Sequence, residues 1–384
     1  MEVFHRRKLA ADLARKILED APGSASSSGL FLASPRRTGK STFLREDLRP
    51  ALEQAGAHVL YVDLWEDRRA DPGAVIVAAV RADLARFDSV LARLAKSTGL
   101  EKVSVGGVGF DLNQVGLGDG VSLAFALSNL SDEIRRPIVL IIDEAQHAIK
   151  TEPGNDALFA LKAARDELNS SRHHGLRVVA TGSNRDKLSM LRTSRDQAFF
   201  GAPLVSFPSL QRDYVEWFCE RVGLPATLDV DETLALFEEA AFRPEILGAA
   251  ADELRFDFEL EPADVRERFR AAVRRQIAES NVEVLRVVHS LTPQQSAVLR
   301  VMAARGQDYA PFEEATLVAY TAVLRAITEN PSATLDVPQA QAALQALQHK
   351  ALVWRAARGV YALEETVLAD LMAAQGMLDQ VPPK

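Results

Sequence analysis

The chain has 384 residues and a formal net charge of −8 at pH 7, a length that suggests two or three domains with enough apolar residues for a large core. The acidic balance argues against a protein that coats nucleic acid over its whole surface, although it leaves room for a local basic face. One cysteine, Cys219, rules out an intramolecular disulfide and suits a reducing, cytoplasmic setting.

Residues 1–18, "MEVFHRRKLAADLARKIL", hold no apolar stretch of the signal-peptide kind. Phe4, Leu9, Leu13 and Ile17 sit at helical spacing, which predicts an amphipathic helix. A polar connection at 22–29 leads to a short apolar strand, "LFLAS" (30–34), and then to "SPRRTGKST" (34–42). A helix is expected from about 40 to 54, a buried strand at 58–64, and an Ala/Leu-rich helix over 74–96. Residues 102–123, "KVSVGGVGFDLNQVGLGDGVSL", alternate apolar and polar side chains among glycines and predict a hairpin. The G-x-G-x-G at 116–120 lacks the strand–helix setting of a dinucleotide fingerprint.

"RPIVLIIDEAQ" (136–146) is a buried strand ending in two carboxylates, and a long helix follows near 154–171. "GLRVVATGSN" (175–184) is another buried strand, and "PLVSF" (203–207) a last short one. Short apolar strands alternating with helices indicate an α/β fold, a parallel sheet with both faces covered. From Pro208 the pattern turns helical, with helices near 209–222, 230–240, 243–255 and 262–285. Three more helices precede "ALVWRAARGVYAL" (351–363), which reads as two short strands like the wing of a winged helix. A final helix is expected over 364–375. The expected domains are an α/β core with its N-terminal helix at 1–207, an all-α lid at 208–285 and a winged-helix-like domain at 286–384. The apolar runs at 74–80 and 138–142 are too short to cross a bilayer, so no membrane contact is expected.

The stretch "SPRRTGKST" ends as a phosphate-binding loop ends, with strand before it and helix after it. Ser34, Pro35, Arg36, Arg37, Thr38 and Gly39 and the helix start form the expected cradle, whose backbone N–H groups, lacking only at Pro35, point at the phosphates. The helix dipole adds positive potential. Gly39 permits close approach, Lys40 would reach the β- and γ-phosphates, and Ser41 would hold Mg²⁺, with Thr42 near the α-phosphate. Ser34 stands where the usual pattern has glycine. About a hundred positions later, Asp143 is placed to organise Mg²⁺ through its water shell, and Glu144 to take a proton from attacking water. Asn184, with Ser183 beside it, either holds that water or forms a polar turn only. His147, His173 and His174 lack partners at metal-ligand spacing.

The ordered set "SPRRTGKST", "IVLIIDEAQ" and "VVATGSN", followed by helices and a wing-like end, resembles the AAA+/STAND P-loop ATPases. It is most similar to the prokaryotic "archaeal-type" ATPase group, and its DEAQ form also resembles transposition-regulator and initiator ATPases. The resemblance implies a P-loop NTPase αβα core and binding of ATP with Mg²⁺. It implies Walker A roles for Lys40 and Ser41, Walker B roles for Asp143 and Glu144, and a sensor role for Asn184. "AFRPEIL" (241–247) resembles the sensor 2 region, which would bring Arg243 to the γ-phosphate, although Phe242-Arg243-Pro244 departs from the G-x-P of signalling relatives. An arginine finger acting across a homo-oligomer would come from Arg192 or Arg195. The region from Arg286 onward carries eight lysines and arginines against nine carboxylates, so it does not trap DNA electrostatically. Arg355 and Arg358 on the wing are its best DNA contacts. Three functions therefore compete: a switch that couples ATP to assembly or to a protein partner, a DNA-binding ATPase, and a nucleotide-binding module without hydrolysis.

Overall fold

Five strands, β1 (Leu30–Ala33), β2 (His58–Asp63), β3 (Ile138–Asp143), β4 (Leu176–Gly182) and β5 (Leu204–Ser206), form one parallel sheet. Their order across it is β2-β3-β4-β1-β5. The computed structural model describes residues 2–19, 25–34, 37–67, 69–90, 93, 122–170, 173–193, 197–357, 360–364 and 367–383. The expected hairpin at 102–123 lies outside the described residues up to 121, as do Pro35, Arg36, Arg195 and Arg358.

The helices of the first part are α1 (Arg7–Leu18), α2 (Lys40–Phe43), α3 (Arg49–Gln54), α4 (Pro72–Leu84), α5 (Leu123–Ile134), α6 (Glu152–Ser170) and α7 (Arg185–Thr193). Strand alternation sorts the core into two layers. Ile138, Leu140 and Ile142 face a cluster built with α4, α5, α6 and α7. Val139 and Ile141 face the other side, against Ala10, Ala14, Leu44, Leu48 and Leu52 from α1 and the helical run after Lys40. Covered on both faces, β3 is buried at every position, which is why its sequence is an unbroken apolar run.

Several elements differ from expectation in instructive ways. Helix α4 starts at Pro72, with Asp71 accepting from Gly73 N and Ala74 N, and ends at Leu84, and the chain is helical again at 88–90 and 93. Helix α5 was not expected. Ser122 Oγ caps it at Phe125 N, and Leu123, Ala126, Leu127 and Leu130 make its buried stripe. Between α2 and α3 the helix continues through a π segment, Leu44–Leu48. Phe4 is not part of α1; it lies before the helix, edge-on to Tyr214 at 5.5 Å. On α1 itself the buried face is Ala10, Ala14 and Ile17.

The chain divides into two compact units, Met1–Tyr214 and Val215–Lys384. After α8 (Arg212–Arg221), the second unit holds α9 (Val230–Glu239), α10 (Pro244–Arg255), α11 (Val265–His289), α12 (Pro293–Arg305), α13 (Glu314–Thr328) and α14 (Val337–His349). The antiparallel ribbon β6 (Val353–Ala357) and β7 (Val360–Leu363) and helix α15 (Val367–Ala374) complete it. Arginines of α11 pair with carboxylates around it: Arg268 with Asp257, Arg270 with Glu232, Arg274 with Glu239 and Arg275 with Glu253. Capping boxes at Thr292 and Asp336 start α12 and α14. Their apolar faces close on Tyr320, Leu344 and Met372. Among the described residues no helix is long and apolar enough to cross a membrane.

Candidate functional site

Strand β1 lies between β4 and β5, so the chain leaves it to one side for β2 and crosses it later for β5. Such a reversal opens a crevice at the carboxyl ends of the strands, where ligands bind in open α/β sheets. The register pairs Ala33 with Gly182 and Asp63 with Asp143, so these strands end at one edge. Ser34, Asp143, Glu144 and Ser183 all follow from it.

Ser34 is buried, and its N–H extends the ladder to Gly182 O at 3.1 Å. Its hydroxyl meets that of Thr38 at 2.5 Å, closing the base of the loop. Ser34 is not among the residues with positive φ, so the glycine of the usual pattern is not needed there on backbone grounds. Gly39 is different: its φ of 78° puts it in the left-handed region at the start of α2, where a side chain is strained. Arg37 also has positive φ, 61°, with its side chain exposed. Thr42 is exposed on the first helical turn.

Lys40 is almost fully buried. Its Nζ donates to Glu144 Oε1 at 2.7 Å and lies 3.2 Å from Asp143 Oδ1. Ser41 Oγ donates to Asp143 Oδ2 at 2.6 Å, and Tyr61 OH donates to the same oxygen at 3.1 Å. Thr181 Oγ1 and Glu144 N, the latter at 3.0 Å, donate to Asp143 Oδ1. Glu144 has φ 55° and ψ 40°, a left-handed conformation that a glutamate adopts only at a cost. That twist turns its side chain back over the sheet edge. There Ser183 Oγ donates to Oε2 at 2.8 Å and Gln146 Nε2 at 2.5 Å. Gly182 is held bare by this arrangement, since a Cβ on it would stand 2.3 Å from Gln146 Oε1.

Burial works against the Asp143 carboxylate, but the Lys40 charge and the Ser41 and Thr181 hydroxyls overcome it and hold its pKa below the usual range. Glu144 is likewise opposed by burial and lowered by Lys40, Ser183 and Gln146. Burial and the Asp143 charge push the Tyr61 phenol up, so it stays a donor. Arg45 lies over the Tyr61 ring at 4.9 Å and bonds Asp63 Oδ2 at 2.8 Å, forming an outer layer to the cluster.

Lys40, Ser41, Asp143 and Glu144 are thus brought together from two elements far apart in sequence. Asn184 is placed otherwise: its Oδ1 accepts from Lys187 N at 2.9 Å and caps α7. Ser183, its neighbour, is the residue that touches Glu144. Arg192 Nε donates to the Ala202 carbonyl. Arg243 belongs to the second unit, where it donates to Ala240 O and Ser280 Oγ, each at 3.0 Å. The participants not anticipated from sequence are Tyr61, Thr181 and Gln146. Thr181 stands next to last in β4, Gln146 in the turn after β3 that carries Glu144, and Tyr61 two residues before the end of β2.

A buried ammonium, a left-handed glycine opening a helix, and a serine hydroxyl beside a carboxylate are the donor set that a triphosphate with Mg²⁺ takes. Mg²⁺ keeps several waters and needs few protein oxygens, and the Ser41 and Asp143 pair suits it.

No family model matches the sequence, and no curated protein does. Solved structures share its fold. A Walker-type ATPase of Pyrococcus abyssi is similar at a TM-score of 0.55 with 16% identity, over 96% of each chain. The ORC2 protein of Aeropyrum pernix in its ADP form is similar at a TM-score of 0.55 and 16% identity, over 97% of this chain and 95% of that one. At that identity the likeness concerns the fold, an α/β P-loop NTPase fold.

Proposed function

We propose that the protein binds ATP with Mg²⁺ and hydrolyses it, and that its nucleotide state alters its assembly or its grip on a partner. What carries the proposal is the meeting of Lys40, Ser41, Asp143 and Glu144 within hydrogen-bond reach at the carboxyl edge of the sheet. The ADP bound to the ORC2 neighbour supports it.

A γ-phosphate entering the crevice competes with the two acids for Lys40. Ser41 Oγ and, through water, Asp143 would hold Mg²⁺, which when bound neutralises phosphate charge. Once Lys40 turns to the phosphates, Glu144 keeps Ser183 and Gln146 on Oε2 and has Oε1 free to accept a proton. The hydrogen bonds from Ser183 and Gln146 favour its ionised form for that task. The water oxygen then bonds to the γ-phosphorus while the bond to the bridging oxygen breaks. ADP leaves with the electron pair, and Glu144 takes the proton. The sensor role falls first to Ser183, with Asn184 coupling the strand end to α7. Arg243 for the γ-phosphate, and Arg192 or Arg195 across a homo-oligomeric contact, complete the assignment; Arg192 must first leave Ala202. The second unit divides under this proposal into a lid to residue 285 and a winged-helix-like domain beyond it.

Phosphate release from Mg-ATP by the wild type and by Glu144→Gln tests the proposal. The variant should be slower by about 100-fold or more. Equal rates would leave only a nucleotide-binding module.

One observation favours a DNA-acting ATPase as a second reading. Helix α14 buries Ala340, Ala343, Leu344 and Leu347 and exposes Gln341 and Gln345, and a two-stranded ribbon follows it. Glutamines so presented suit adenine edges in a major groove. Salt-dependent binding to duplex DNA that weakens when Arg355 and Arg358 are replaced by alanine would support that reading, and absence of binding would remove it.

A further inference from the structure

Two features outside the Lys40–Glu144 cluster match one another. The first is the turn between α10 and α11, "RFDFELE" (255–261). Phe258 is 95% exposed and Phe256 76%, the most solvent-exposed large apolar side chains among the described residues. The turn is held in one shape: Asp257 Oδ1 accepts from Glu259 N at 3.1 Å, Asp257 O accepts from Leu260 N at 3.3 Å, and Asp257 is paired with Arg268. Glu259 and Glu261 are exposed and make no ion pair among the described residues. The tip is therefore two rigidly presented phenyl rings with acidic neighbours.

The second feature is a groove of about 150 Å³ between α1 and the sheet, lined by Ile17, Leu30, Leu32 and Val205, with Lys16 and Arg177 as its cations. Apolar space of about 150 Å³ is enough for a benzene ring. Val205 lies on the edge strand β5 and is 46% exposed, so the groove opens on an apolar surface. Around it, α1 carries Arg7, Lys8, Arg15 and Lys16 against Asp12 alone. A cavity of phenyl size beside a basic helix, and a rigid phenyl tip beside free glutamates, are complementary in size, polarity and charge.

We infer that the Phe256–Phe258 tip of one copy of this chain docks into the α1 groove of a second copy, one phenyl ring in the groove and Glu259 or Glu261 against Lys16. Tip and groove are different surfaces, so the contact is head-to-tail and generates a ring or an open filament rather than a closed symmetric dimer. This goes beyond the nucleotide reading: no residue of the contact touches the Lys40–Glu144 cluster, and the association needs no hydrolysis. The aromatic tip supplies the apolar anchor, and the charges set register and salt sensitivity.

Sedimentation velocity of the full chain across a concentration series, at low and high salt, tests the inference. Wild type should associate with rising concentration, and more weakly at high salt. Phe258→Ser, at a site too exposed to affect folding, should weaken association at least tenfold. Lys16→Glu and Glu259→Lys should each weaken it, and the two variants mixed with one another, or combined in one chain, should recover it. Phosphate release, read at a concentration where the wild type is monomeric, should be unchanged in all of them. A wild type that stays monomeric at every concentration overturns the inference, as does association undiminished in Phe258→Ser. Binding of the tip to phospholipid vesicles without self-association also overturns it. Association without ATP binding or hydrolysis would leave it standing while removing the nucleotide reading.

Discussion

At the sheet edge, Lys40 meets Asp143 and Glu144 almost out of reach of water. Along α11, by contrast, Arg268, Arg270, Arg274 and Arg275 meet four carboxylates at the surface. The elementary interaction is the same and its consequences are opposite. Exposed pairs are screened, pay side-chain entropy, and add little beyond fastening α9 and α10 to their neighbour. The buried cluster is desolvated, so any partner removed leaves an uncompensated charge. It persists because Asp143 accepts four hydrogen bonds from three hydroxyls and a backbone amide. An arrangement so fully satisfied can be exchanged for another, with phosphate in place of carboxylate as the partner of Lys40. The surface pairs have nothing comparable to exchange.

The sharpest way to break the comparison is Lys40→Met, which leaves two adjacent buried acids without a cation. At neutral pH it should cost about 3–5 kcal/mol, read as a lower denaturant midpoint. The pH dependence fixes the sign. In the wild type both folded carboxyl pKa values lie below their unfolded values. The stability they contribute is therefore complete above the unfolded range near about 4, and is lost as pH falls through the lowered values. Without Lys40 the acids lose that support, so the deficit of the variant should shrink on acidification. A deficit independent of pH would mean the charges are not coupled.

Gly182→Ala is a smaller intrusion into the same cluster. Its Cβ would displace Gln146, which also holds Glu144. About 1–3 kcal/mol of stability should go, together with part of the phosphate release, and a variant with full activity would show that Gln146 does not orient the base. The smallest effect belongs to the surface. Arg270→Ala should change stability by less than about 1 kcal/mol, and the change should vanish in high salt. A large effect there would erase the contrast drawn between the two clusters.

The sheet was legible in the sequence because a strand covered on both faces must be apolar throughout, as "IVLII" is. So were Lys40, Ser41, Asp143 and Glu144, because phosphate chemistry restricts the residue types at a loop–helix junction and a strand end. Backbone conformation was not legible. Nothing in "DEAQ" announces that Glu144 is left-handed, and that twist is what brings Ser183 and Gln146 to its carboxylate. Ser34 stands in place of the usual glycine, and its hydroxyl is bonded to that of Thr38. Helix α5 escaped notice although its apolar residues recur every three or four positions, since the glycine-rich alternation before it obscured its start at Ser122. Asn184 looked like the polar group beside the phosphate because it ends the run "TGSN". Its carboxamide oxygen accepts from Lys187 N and caps α7.

Equilibrium binding of ATP to the wild type, to Ser41→Ala and to Lys40→Met, with Mg²⁺ and with the metal chelated, tests the shared site most directly. ATP should bind the wild type, lose affinity on chelation, become insensitive to chelation in Ser41→Ala, and fail to bind Lys40→Met. Equal affinity of the three proteins for ATP, whatever the metal, would contradict a triphosphate–Mg²⁺ site at Lys40, Ser41 and Asp143.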